Sequence, residues 1–217
     1  MADWNLASRS RINRLFATPL IEIWPQQAQS WIEPLLGRVR ARRAEHPGIS
    51  RSNINGWHSD TSMLEWGGDA AIALARETMA VCARHTSDVV AAQGQSRYEM
   101  DMEMWANVSP AAASNQMHCH PGSFWSASFY LDDGGDSEDG FFVAQDPRFP
   151  SVRMNAPDLV FQDEDGTKQL SQHRVRPEPG KLVIFPSWLM HAVRPHNGPR
   201  DRVSIAMNIL AIPARPS

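Results

Sequence analysis

Disulfides are the first thing this sequence does without. Its 217 residues hold only Cys82 and Cys119, and two thiols make no covalent framework for a chain this long. Reduced cysteines in a cytoplasmic protein are the expectation. Long hydrophobic runs are missing too. No stretch nears the roughly 18 apolar residues of a membrane span, and Met1 to Ser10 lacks the apolar centre of a secretory signal. Nor is there a basic block: a net charge of -3 with scattered arginines leaves no footprint for nucleic acid. Internal repeats and low-complexity tails are absent as well.

What is present suits a globular chain, with 42% hydrophobic and 21% charged residues and enough length for one domain with a real core. Hydrophobic periodicity divides it near residue 96. Before that point, Gln26 to Glu45 carries Ala28, Trp31, Ile32, Leu35, Leu36 and Val39 at helical spacing. Asp69 to Val90 repeats the pattern with Ile72, Leu74, Met79, Val81 and Val89, and Gly94 is its stop. After residue 96 the period becomes two. In Arg97 to Asn107, Tyr98, Met100, Met102 and Met104 alternate with Glu99, Asp101 and Glu103. Segments 124–131, 139–145, 173–179, 181–185, 189–195 and 202–210 follow as short strands between glycine and proline turns. The pattern predicts α+β with a mainly β core: helices over 1–96, and an antiparallel barrel or double-sheet sandwich over 97–217, in one domain.

Three pieces of this β half can carry chemistry. In MHCHPGS, Pro121 disfavours the helical region for His120. Alternate residues of an extended segment share a face, so His118 and His120 can converge on one metal ion. Two exposed loop histidines are the equal alternative. In GKLVIFPSWLMHAVRP, an apolar strand and a proline corner lead to His191, which alone reads more readily as a core residue. In RVSIAMNIL, Val203, Ile205, Met207 and Ile209 oppose Arg202, Ser204, Ala206 and Asn208. The polar face is either solvated or lines a pocket. In the second case a buried Arg202, with no acid on its face, would meet a carboxylate brought by a ligand. FWSASFYL poses the same choice, with Ser126, Ser128 and Tyr130 opposite Trp125, Ala127, Phe129 and Leu131.

Taken together and in this order, SNINGWHS, MHCHPGSFWSASFYL, QDPR, GKLVIFPSWLMHAVRP and DRVSIAMNI resemble the 2-oxoglutarate-Fe(II) oxygenases. The likeness is to their bacterial and phage branch with an HxHPGS motif. It implies a double-stranded β-helix, a jelly-roll or cupin-like barrel with N-terminal helices packed on it. It also implies Fe(II), 2-oxoglutarate as cosubstrate and O2, with hydroxylation of a primary substrate coupled to decarboxylation to succinate. His118 and His191 match the family's iron ligands. His120 stands where the wider superfamily places a carboxylate, giving a three-histidine face that neutral imidazoles still suit. Arg202 and Ser204 match an Arg-x-Ser pair that holds the far carboxylate of 2-oxoglutarate, and Tyr130 matches a tyrosine that assists.

Two other readings compete: a cupin-like three-histidine metal enzyme that does not use 2-oxoglutarate, and a non-catalytic binding barrel. Among further residues, His58 and Asp146 read as structural, Cys119 as packed on the opposite face from the histidines, and Trp57, Trp66, Trp125 and Trp188 as packing at the barrel ends. His46, His85, His173 and His196 suggest no chemistry. No membrane partner is expected, and a homodimer is the default assembly.

Overall fold

The computed structural model describes residues 12–91, 96–135, 139–150, 156 and 158–214. The readings of Met1 to Ser10 and of Gly94 lie outside these residues. Helix α1 (Ala28–Glu45) buries Ala28, Trp31, Leu35, Leu36 and Val39, the stripe expected of 3.6-residue periodicity. A single turn, α2 (Met63–Trp66), leads into α3 (Gly68–Arg84), which buries Ala71, Leu74, Thr78, Val81 and Cys82.

Helix α3 stops six residues before the expected Val90. The His85 N–H turns back onto the carbonyls of Val81 and Cys82. The Thr86 hydroxyl donates to the Cys82 carbonyl at 2.7 Å and accepts from Trp125 Nε1 at 2.8 Å. Val89 beyond it is 93% exposed, so another helical turn would have no sheet to cover.

The N-terminal half also supplies three short strands that the helical reading missed: β1 (Ile21–Ile23), β2 (Asn53–Ile54) and β3 (Trp57–His58). The C-terminal half contributes β4 (Tyr98–Ser109), β5 (Ser114–His118), β6 (Trp125–Asp133), β7 (Phe142–Gln145), β8 (Gln172–Val175), β9 (Leu182–Pro186), β10 (His191–Val193) and β11 (Arg202–Pro213). Strand β8 is shorter than expected because Pro177 and Pro179 have no N–H for a ladder. Strand β10 starts late because the Leu189 N–H closes a turn onto the Pro186 carbonyl at 2.9 Å.

The strands form two antiparallel sheets. One runs β1-β9-β6-β11-β4-β3 and the other β2-β5-β10-β7-β8. The two faces of the larger sheet differ. Its outer face, with Met104, Ala106, Val108, Ala127, Phe129, Leu182, Ile184, Ile205 and Met207, packs against α1 and α3 as one core. Its inner face and the second sheet share a smaller cluster of Tyr130, Phe142, Ala144, Val175, Val183, Phe185 and Leu189. The helices therefore take up the apolar face of β11 and β6. Their polar face turns into the barrel, which decides the ambiguity left by the alternation.

Candidate metal centre

Strand β5 ends at His118 and strand β10 begins at His191, and the two are direct antiparallel partners. Their ring centroids lie 4.3 Å apart. Pro121 ends the extended run, and the His120 N–H donates to the Ser187 carbonyl at 2.9 Å. That bond ties the turn after β5 to the turn before β10. It brings His120 to ring distances of 4.9 Å from His118 and 5.2 Å from His191. One nitrogen from each of the three rings lies within 4.8 Å of the others.

The backbone decides the tautomers. His118 Nδ1 lies 2.7 Å from the Gln116 carbonyl and His191 Nδ1 lies 2.8 Å from the Leu189 carbonyl. A carbonyl only accepts, so Nδ1 carries the proton and Nε2 keeps its lone pair for a metal. Asn115 Nδ2 donates to Ser52 Oγ at 3.2 Å, and that hydroxyl stands 3.4 Å from His118 Nε2.

Burial keeps the rings neutral. Desolvation, then the neighbouring His118, pulls His191 down to about 3. Burial and the nearby imidazoles of His118 and His58 pull His120 down to about 4. Burial also lowers His118, against its hydrogen bond to Gln116. Neutral imidazole is the ligating form, and three such nitrogens on one face fit Fe(II) and neighbouring divalent ions.

The histidines open onto a cavity of about 570 Å³ between the sheets. Its floor is the inner face of β4, β11 and β6, and the register sets the residues in rows. Asn208 lies between Glu103 and Ser126, Ala206 between Trp105 and Ser128, and Ser204 between Asn107 and Tyr130. Arg202 follows beyond Ser204 beside Ser109. The three clustered histidines stand over the first rows: Trp105 lies 6.0 Å from His120, and Phe185, the partner of Ser126, lies 4.7 Å from His191.

Arg202 is 3% exposed. Its Nη1 donates to the carbonyls of Gly140 at 3.0 Å and Arg194 at 3.2 Å. No carboxylate pairs with it among the described residues. Burial lowers its guanidinium from the usual value, and Tyr130 acts the other way. Burial pushes Tyr130 itself up to about 12, so the phenol stays protonated as a donor. A buried cation held only by carbonyls, beside a hydroxyl and a phenol, is a ready receptor for an anion.

The six residues singled out from the sequence thus all line one cavity. Other residues fall differently from expectation. Cys119 is half-buried and lines the cavity rather than packing on the far side. Trp188 is 52% exposed, because its turn carries it outside the sheets. His58, read as structural, does bond through Nδ1 to the Ser59 carbonyl; it is also buried, and its ring stacks on Trp105 at 5.4 Å in the cavity wall. Asp146 does serve its own turn: it accepts the Arg148 N–H and pairs with that guanidinium at 2.9 Å. Trp105 and Asn107 were missed, although continuing the alternation of β4 past Met104 would have placed them on the inner face. Ser52 opens the SNINGWHS motif but was given no role, and Asn115 had no signal; the pairing of β2 with β5 is what brings the two together.

Residues 103–208 match the sequence model of the family described as "Putative 2OG-Fe(II) oxygenase". No curated protein matches the chain in sequence. Among solved structures it is similar to a prolyl-4-hydroxylase from Pseudomonas putida, with 18% identity over 89% of this chain and 92% of that one, at a TM-score of 0.56. HygX from Streptomyces hygroscopicus, solved with nickel and 2-oxoglutarate, gives 14% identity over 88% and 82%, at 0.58. A Trichoplax adhaerens prolyl hydroxylase in complex with a hypoxia inducible factor peptide gives 13% over 88% and 82%, also at 0.58. At these identities the shared feature is the fold, the double-stranded β-helix.

Proposed function

We infer that this member of the 2-oxoglutarate-Fe(II) oxygenase family hydroxylates a C–H bond of a primary substrate, using Fe(II) at His118, His120 and His191. The observation that carries the reading is the pairing of two features in one cavity: three neutral imidazoles, and a buried Arg202 with no carboxylate partner among the described residues. A metal alone would account for the first. A metal ion together with an anionic cosubstrate accounts for both.

Nε2 of His118 and of His191 would hold the ion, each ring oriented by its Nδ1–H bond to backbone. His120 would supply the third nitrogen, in place of a carboxylate. Arg202 would receive the far carboxylate of 2-oxoglutarate, with Ser204 and the Tyr130 hydroxyl as further donors beside it. Phe142 and Phe185 pack on His191 at 5.2 Å and 4.7 Å and keep water from that side. When bound, iron with 2-oxoglutarate supplies the oxidation, in which O2 is divided between succinate and the hydroxylated product while CO2 leaves. The chain's part is to bind, orient and exclude. A cavity of about 570 Å³ also leaves room for a second small molecule or a protruding side chain. The two free cysteines, one of them buried, support a cytoplasmic setting. Among the described residues no helix is long and apolar enough to cross a membrane.

The test is anaerobic. Fe(II) and then 2-oxoglutarate are added to metal-free protein, and the weak visible band of the metal-cosubstrate chelate is sought. A band in wild type, with succinate formed once O2 is admitted, is expected. Iron binding without the band, or O2 use independent of 2-oxoglutarate, would sink the reading in favour of a cupin-like enzyme.

A further inference from the structure

His196 is fully buried and belongs to none of the chemistry above. Its Nε2–H donates to the Ser109 carbonyl at 2.8 Å. Its Nδ1 is buried without a partner among the described residues. A phenyl ring would fill the same space without an orphaned nitrogen, so what histidine adds here is that one N–H donor.

The surroundings are shaped to this ring. Gly134, at φ +83°, would place a Cβ 2.7 Å from Cε1 and Nδ1 of His196, and Gly140, at φ +75°, would place one 3.1 Å from its Cβ. The same Gly140 Cβ would lie 3.1 Å from Arg202 Nη1. His196 and Arg202 therefore share one glycine between them.

Backbone bonds extend the link. The Gly140 N–H donates to the Pro195 carbonyl at 3.0 Å, the Ala112 N–H to the His196 carbonyl at 2.8 Å, and the Arg194 N–H to the Phe141 carbonyl at 2.9 Å. The two carbonyls that hold Arg202 Nη1, those of Gly140 and Arg194, thus belong to the two segments that enclose His196. Ser109, which His196 grips, is the β4 partner of Arg202 in the ladder. One imidazole N–H pins the 194–197 segment to the end of β4, across the residue expected to receive the cosubstrate.

We propose that His196 is a positioning residue for 2-oxoglutarate: it holds the Gly140 and Arg194 carbonyls where they orient the Arg202 guanidinium. This deepens the proposed function and rests on it. The role requires a donor at the Nε2 position rather than a ring. His196→Gln carries an amide nitrogen to about the Nε2 position, whereas the shorter side chain of His196→Asn presents its amide near Nδ1 and falls short of Ser109.

The experiment measures Ni(II) affinity, and then 2-oxoglutarate affinity of the Ni(II)-loaded protein, by calorimetry for wild type and both variants. The expected result is unchanged Ni(II) binding in all three. His196→Gln keeps 2-oxoglutarate affinity near wild type, and His196→Asn loses about tenfold or more, as for one misplaced charged hydrogen bond. If the two amides behave alike towards 2-oxoglutarate, or if Ni(II) binding falls in step with it, His196 serves the fold and the proposal is overturned. Wild type that binds Ni(II) but not 2-oxoglutarate would instead overturn the proposed function.

Discussion

His118 and His191 are antiparallel partners at the facing ends of β5 and β10, with rings 4.3 Å apart and each Nδ1 committed to a backbone carbonyl. Two of the three clustered imidazoles are thus pre-set by one ladder contact, and His120, on the turn, is placed separately by its N–H bond to the Ser187 carbonyl.

Removing His191 takes away the most buried of the three. His191→Ala is expected to weaken Fe(II) or Ni(II) binding by more than about 100-fold, beyond what loss of an outer partner costs. His120→Ala should weaken it strongly as well, whereas His58→Ala should leave it unchanged. Calorimetry under anaerobic conditions reads all three, and intact metal affinity in His120→Ala would remove that residue from the ligand set.

The role proposed for Arg202 separates cosubstrate binding from metal binding. Arg202→Ala is expected to lower 2-oxoglutarate affinity by about 100-fold, the scale of two lost charged hydrogen bonds, with metal affinity retained. Tyr130→Phe should cost about fivefold, one ordinary hydrogen bond. Equal losses of metal and cosubstrate in Arg202→Ala would refute its role.

The pH dependence follows from the lowered histidines. His191 at about 3 and His120 at about 4 lie below the ordinary 6.5, so on acidification the unfolded chain takes up protons before the folded one. Stability of the metal-free protein is then fully present above about pH 6.5 and declines as pH falls towards those values. Between about pH 6.5 and 5 the carboxylates remain largely ionised, and Asp60, at about 2, certainly does. Thermal melts across that interval should show the metal-free midpoint falling. A flat profile would mean the rings are not buried neutral.

Helix-to-sheet packing can be probed away from the site. Phe129 is fully buried on the outer face of β6, its ring 6.0 Å from that of Trp31 on α1. Phe129→Ala should cost about 3–5 kcal/mol in urea unfolding, with the three clustered histidines untouched. A loss below about 1 kcal/mol would mean that α1 does not depend on this contact.

Much of this arrangement can be read along the chain. Period 3.6 in Ala28 to Val39 became α1, and period two in Arg202 to Ile209 became β11, because each pattern suits one backbone geometry. The His118–His120 spacing before Pro121 pointed both rings to one side, as they stand. The boundaries were less legible. α3 was drawn too long because Val89 continues its periodicity, and periodicity cannot tell where the sheet beneath a helix ends.

By itself the sequence determined which residues share a face, and through its order of motifs which family it resembles. It left open whether the face of Arg202, Ser204 and Tyr130 meets water or a cavity, since alternation is identical in both cases. Tertiary structure decided that by packing α1 and α3 on the opposite, apolar face. It also brought Ser52, His58 and Asn115 to the cavity and set His196 behind Arg202. Such neighbours are made by strand pairing between distant segments, and no local pattern encodes them.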